Sequence, residues 1–262
     1  MSILLTNDDG VDAPGLLALV DALRDLDDLY IAAPLKNCSG VGGAITLDRN
    51  LSVTRCGDWP GVVVRTAIDG TPVDAVKYGI RHLLENNPPR LVVSGINHGP
   101  NIGRNVRCSG TVNAAFEALL FGVPALAVSV EYLVPPIWDG AIHYTRLVAE
   151  HALDLAERRR DFILNLNVPG LEPDQIHGLF FAPQGRGGYN DFLARIGTGD
   201  TFEPDGDWVA PEGGVHCDAS AFTDGYAVLT PMRYEQTHDE LLAQLESEWG
   251  HLDSLDVIWP EE

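Results

Sequence analysis

Asp8 and Asp9 are neighbours in the stretch Asn7-Asp8-Asp9-Gly10, directly after a short apolar run at 3–6. On a regular strand adjacent side chains point to opposite faces, but Gly10 permits a sharp turn, so both carboxylates can converge on one cation. Two carboxylates within a few ångströms repel unless a proton or a metal compensates. Asn-Asp-Asp-Gly is also good turn chemistry in its own right, and a solvated turn is the competing reading. Ser39 and Asn97 supply further oxygen donors from loops expected at the same edge, whereas no paired His or Cys does. An all-oxygen set suits a hard ion such as Mg²⁺ or Mn²⁺, with waters in the open positions.

A second group is Ser109-Gly110-Thr111 at the start of a helical pattern. Exposed backbone N–H groups, two hydroxyls and the positive end of the helix dipole make an anion site that fits phosphate. Simple N-capping by Ser109 explains the same residues without a ligand. Gly95, Gly99 and Gly103 would let backbone approach a ligand closely, and Arg104 and Arg107 would offset its charge; the arginines read equally well as solvated. His98, beside Asn97, is the one histidine near these groups. Other chemistries lack their residues. Neither lysine follows a glycine, which excludes a P-loop, and Gly40-Val41-Gly42-Gly43 does not complete a dinucleotide fingerprint. The G-x-S-x-G elbow and H-E-x-x-H are absent. A nucleotide-cofactor oxidoreductase is disfavoured accordingly.

The elements that must position these groups alternate between strand and helix signals, which argues for parallel βαβ units. Strands are expected at 3–6, 29–33, 91–94, 125–130 and 162–166. Between them lie a helix opened by Pro14 with Leu16, Leu19, Val20 and Leu23 at helical spacing, and one N-capped by Thr71 before Pro72. A third helix begins at Ser109. The fourth carries Ala141, Thr145, Val148, Ala152 and Leu155 and ends in Arg158-Arg159-Arg160, placed to complement the helix dipole. A glycine- and asparagine-rich loop is expected at 96–108. In an open parallel sheet ligands bind outside the carboxyl ends of the strands, and the Asp8, Ser39, Asn97 and Ser109 segments all fall there.

After Gly170 the texture becomes β-rich, with strand-like runs at 178–182 and 226–230, a hairpin near 191–209 and a last helix at 238–249. The expected fold is one α/β domain over 1–262: a Rossmann-like three-layer core at 1–170 on a mostly parallel sheet, a β-rich oligomerisation extension at 171–236 and a helical tail at 237–262. The region 185–214 is expected to form an arm against a partner subunit.

Composition narrows the partners. With 17 basic and 38 acidic residues the formal charge is −21, which argues against nucleic-acid duplexes and anionic membranes. The longest apolar stretch, 118–130, is broken by Gly122 and Pro124 and does not span a bilayer. Strand pattern begins at once without a basic leader, and Cys38, Cys56, Cys108 and Cys217 lack any C-x-x-C spacing, so a soluble, cytoplasmic protein with reduced thiols is expected. Lys36 and Lys77 are the only lysines, leaving fifteen arginines. An excess of acid this large reads as adaptation to high salt, where screening tolerates carboxylate repulsion; an ordinary acidic cytosolic protein is the plainer alternative.

Taken together the motifs resemble the SurE (survival protein E) family of metal-dependent 5'/3'-nucleotidases. The matching stretches are LLTNDDG at 4–10, AAPLKNCSGVGGAIT at 32–46, GTPVDAVKYGI at 70–80, SGINHGPNIG at 94–103 and SGTVNAAFEAL at 109–119, with TDGYAVLTPM at 223–232 more weakly. The resemblance implies that Asp8, Asp9, Ser39 and Asn97 bind one divalent metal per subunit, the four donors selected above. Asp8, Asp9 and Asn97 would be catalytic. Asn7, Gly40, Asn101, Ser109, Gly110 and Thr111 would contact substrate. It also implies hydrolysis of nucleoside 5'- or 3'-monophosphates, sometimes of short polyphosphate, by a homodimer or homotetramer built from the C-terminal extension. A nucleotide-binding or sensing module with little turnover is the alternative. Cys108 stands where the family usually has tyrosine, and Asn113 and Ala118 where it usually has glycine.

Overall fold

The computed structural model describes residues 2–209 and 217–249, and the chain divides into two units, 1–232 and 233–262. Within the first unit a nine-stranded sheet has the order β3-β4-β2-β1-β5-β6-β7-β11-β8. Its strands are β1 (Ser2–Thr6), β2 (Asp28–Pro34), β3 (Val53–Arg55), β4 (Val62–Ile68), β5 (Leu91–His98), β6 (Ala125–Val130), β7 (Ile163–Val168), β8 (Leu179–Phe181) and β11 (Ala227–Met232). From β4 to β7 every pairing is parallel; β3 and β11 join antiparallel to β4 and β7. A separate antiparallel hairpin, β9 (Gly188–Ile196) with β10 (Thr201–Val209), completes the β structure.

The helices cover both faces, and the strand period of two decides which residue meets which layer. Ile3 and Leu5 of β1 pack with α1 (Pro14–Leu23) and α4 (Asp139–Ala156), through Leu16, Leu19, Val148 and Ala152. Leu4 points the other way, to α2 (Pro72–Tyr78) and α3 (Gly110–Leu120), where Val76, Val112 and Ala115 receive it. Each such fully buried leucine is worth about 2 kcal/mol of transfer free energy. The helix starts follow from local chemistry. Pro14 occupies the first turn of α1, and Thr71 with Asp74 forms a capping box on α2, their side chains each accepting from the other's backbone N–H. This is the expected mixed α/β fold with a mostly parallel sheet and a β-rich C-terminal part.

Several local expectations change. The sequence reading assigns no element between 34 and 71, yet β3 and β4 lie there. The segment at 96–108 is not all loop: β5 runs on to His98 across a register irregularity between Ser94 and Asn97, and Gly103–Cys108 is a 3-10 turn. The helix α4 stops at Ala156, so its last turn holds no basic residue. Arg159 instead grips Asp161 at 2.8 and 2.9 Å, and Arg160 donates to the Pro89 and Gly122 carbonyls. The hairpin starts at Gly188 rather than 191, and a short helix, α5 (Asp218–Thr223), was not foreseen. In the second unit, helix α6 spans Asp239–Trp249. Residues 210–214 of the expected arm and 250–262 of the expected tail lie outside the described residues.

Candidate functional site

The chain leaves β1 leftward to β2 and β4, then returns to β5 on the other side. The sheet order therefore reverses between β1 and β5, and a crevice opens at their carboxyl ends, where doubly wound folds bind ligands. A cavity of about 840 Å³ lies there. Asp8, Ser39, Gly40, Asn97, Asn101 and Ser109 all line it, so six of the candidate residues, drawn from four separate segments, meet at one place.

The turn after β1 is built by its own residues. Asn7 is wholly buried, its Nδ2 donates to the Gly10 carbonyl at 2.9 Å and its Oδ1 accepts from the Gly10 amide at 3.2 Å. Its side chain thus serves the turn rather than the cavity. Gly10 has φ +111°, a conformation that side chains disfavour, and sits against the Lys36 backbone. The loop after β2 is tied to this turn, because the Cys38 amide donates to the Asp8 carbonyl at 2.7 Å, which brings Ser39 alongside.

Asp8 is buried against the start of α3. Thr111 Oγ1 donates to Asp8 Oδ1 at 2.5 Å, and the Thr111 amide also holds the carboxylate. A Cβ on Gly110 would lie 2.8 Å from Asp8 Cβ, so only glycine allows this approach. Burial pushes the Asp8 carboxyl up to about 6, with repulsion from Asp9 adding to it and the Thr111 bonds opposing it. Asp9 is pushed up as well by burial, against a lowering influence from the His98 amide and ring. Asn37 Nδ2 donates to Asp9 Oδ1 at 3.3 Å. Ser109 caps α3, its hydroxyl accepting from the Val112 amide at 3.0 Å. The helix N-terminus expected to hold phosphate therefore first holds the protein's own carboxylate, and Thr111, fully buried, is committed to Asp8.

The donor set fits a hard divalent cation. Asp8 is a buried carboxylate with a raised pKa and, among the described residues, no Lys or Arg paired with it. Asp9 adjoins it, Ser39 lines the same cavity, and Asn97 Nδ2 donates to the Gly99 carbonyl at 2.6 Å, so its oxygen is not the atom used in that bond. No cluster of three or more His, Cys, Asp or Glu occurs among the described residues.

A family model described as Survival protein SurE matches residues 3–191. The chain belongs to the SurE family. It is 36% identical over 257 residues to the 5'-nucleotidase SurE of Gemmatimonas aurantiaca, covering 95% of this chain and 98% of that one. Identity to the 5'-nucleotidase SurE of Azotobacter vinelandii is 37% over 252 residues, with 94% and 98% covered. The crystal structure of the SurE protein from Aquifex aeolicus superposes with a TM-score of 0.82 at 30% identity, covering 94% of this chain and 99% of that one.

In this SurE chain the structure adds residues the sequence reading missed. Asn165 and Asn167 of β7 are fully buried and donate to the Asn101 carbonyl at 2.9 and 3.2 Å, while Asn167 Oδ1 accepts the Asn101 amide at 2.7 Å. Asn101 Nδ2 in turn donates to Ser129 Oγ at 2.8 Å. Asp218, also fully buried, accepts the amides of Gly103, Gly185 and Ala219, each at 2.8 Å. These side chains clamp the 99–109 segment that presents Ser109. Their signal was two asparagines inside the otherwise apolar run ILNLNV, since a buried polar group persists only where it is hydrogen-bonded.

Proposed function

We propose that the protein is a divalent-metal-dependent phosphomonoesterase that hydrolyses nucleoside 5'- or 3'-monophosphates to nucleoside and phosphate. The observation that carries this is the buried Asp8, beside Asp9, converging with Ser39, Asn97 and Ser109 on one cavity at the switch point of the sheet. The relatives named 5'-nucleotidase SurE support the hydrolysis of nucleoside monophosphates.

Asp8, Asp9, Ser39 and Asn97 would hold Mg²⁺ or Mn²⁺. Bound there, the ion would supply positive charge to offset that of the phosphate and would make water a better nucleophile. The chain's own residues do the rest. Thr111 and the N-terminus of α3 fix Asp8 in one orientation. Asp9, the less buried carboxylate, would take the proton from the attacking water as the P–O bond to the nucleoside breaks, and the released nucleoside oxygen would take up a proton in return. Ser109 and the helix start orient the phosphate and face the charge that builds on it, while Gly40 and Asn101 border the substrate.

Phosphate release from a panel of nucleoside monophosphates, with Mg²⁺ or Mn²⁺ and with EDTA, tests the proposal. Metal-dependent release supports it; binding without turnover would make the protein a nucleotide sensor instead. We also propose a homodimer or homotetramer assembled through the β9–β10 hairpin. Leu193, Ile196 and Phe202 leave apolar surface exposed there, and a monomer in light scattering contradicts this.

A further inference from the structure

The cavity is larger than a phosphate and one cation require, and beyond Asp8, Asn97 and Ser109 its lining includes Glu131 and Tyr132. Strand β6 places these two residues. Its last residues pair with those of β5, Asn97 opposite Ser129 and His98 opposite Val130, so Glu131 and Tyr132 leave the sheet beside the close of β5. Asp8 follows β1 and Glu131 follows β6, with β5 between them. At about 4.8 Å per strand this is a separation of roughly 10 Å along one edge, the reach of a substrate with a second recognition element beyond its phosphate.

Both residues are poised for such an element. The Tyr132 ring stacks on His98, with centroids 4.4 Å apart and planes 21° from parallel, yet Tyr132 remains 63% exposed. One face is backed and the residue is otherwise open. Glu131 is held from behind by the Gly170 amide, which donates to Oε2 at 3.0 Å. An ionised carboxylate only accepts hydrogen bonds, and this one borders the cavity with the ring beside it. A flat heterocycle with N–H donors on its edge answers both features.

We propose that Tyr132 and Glu131 form the nucleobase end of the site. Tyr132 stacks on the base and Glu131 accepts from its edge, so guanine, with two adjacent N–H donors, is held most tightly. This rests on the nucleoside monophosphate reading above. Stacking tolerates any base because every base has a π-face; the carboxylate does the sorting.

Calorimetric titration in EDTA with GMP, AMP and ribose 5-phosphate, alongside kcat/KM for the three with Mn²⁺, tests the assignment. GMP should bind at least about tenfold more tightly than ribose 5-phosphate, and Tyr132→Ala should weaken GMP and AMP alike by about tenfold, the scale of one base–aromatic stack. Tyr132→Phe should stay within about twofold of wild type, and ribose 5-phosphate should be unaffected by either change. Glu131→Gln should collapse a preference for GMP over AMP of about tenfold. Equal binding of GMP and ribose 5-phosphate by wild type, or parallel losses for both in Tyr132→Ala, overturns the proposal. A GMP preference untouched by Glu131→Gln removes Glu131 from it. Wild-type protein that releases phosphate from none of the three fails the nucleotidase reading instead, and the titrations still judge the base site.

Discussion

Replacing Asp8 with asparagine should stabilise the metal-free fold while abolishing turnover. Asp8 is 3% exposed, and its carboxyl is raised from 3.8 to about 6, chiefly by burial. Because the folded value lies above the unfolded one, ionisation costs the fold nothing below about pH 4. The cost grows as pH rises between the two values and is complete above about 6. At pH 7 the difference of about two units corresponds to ~3 kcal/mol. Asparagine keeps an oxygen for the Thr111 hydroxyl but carries no charge, and its own desolvation takes back part of the gain. A net stabilisation of ~1–3 kcal/mol is expected, or several degrees in Tm for a chain of this size. Thermal denaturation in EDTA at pH 7 and again near pH 4 reads it, and the advantage should shrink at the lower pH. With Mn²⁺ the order reverses, since wild type gains from the ion and Asp8→Asn gains little. Turnover should fall by at least ~100-fold. A variant that melts below wild type in EDTA at pH 7, or by the same margin at both pH values, would refute the burial argument.

Other outcomes follow from the same geometry. Gly110→Ala places a methyl 2.8 Å from Asp8 Cβ, so despite a better helix former it should cost ~100-fold in kcat/KM through displacement of the carboxylate; unchanged kinetics would contradict the close approach. Asp218→Asn turns an acceptor shared by three backbone amides into a partial donor, and denaturant titration should show a loss of ~2–3 kcal/mol. The −21 charge with fifteen arginines and two lysines predicts a Tm that climbs from low to molar KCl as screening relieves carboxylate repulsion, and a flat profile would end the salt-adaptation reading.

Much of the site was legible because its signals are local. The turn residues of 7–10, the N-cap at Ser109 and the strand–helix alternation each announce themselves within a few positions, and the switch-point rule then gathers them. What was hidden depends on the partner. A hydroxyl at a helix start looks like a phosphate ligand whether or not a distant carboxylate claims it, so the sequence reads Thr111 as a substrate contact while its hydroxyl donates a hydrogen bond to Asp8, 103 positions away. Asn7, which the resemblance alone makes a substrate contact, has both its polar atoms engaged by the turn. β3 is only three residues, all exposed, and offers no alternation to detect. The extension of β5 to His98 crosses Gly95, a residue that ordinarily ends a strand pattern and here approaches the Val128 carbonyl too closely for any side chain. Asp218 and Asn167 act through backbone amides far along the chain, which no spacing rule reveals.

The central claim is that four oxygen donors from three segments of the chain share one hard cation. Anomalous scattering from crystals grown with Mn²⁺ tests it most directly. The account predicts one manganese peak per chain, bounded by Asp8, Asp9, Ser39 and Asn97 and lost in the Asp8→Asn variant. A map with no peak there, or a peak held by other residues, contradicts it.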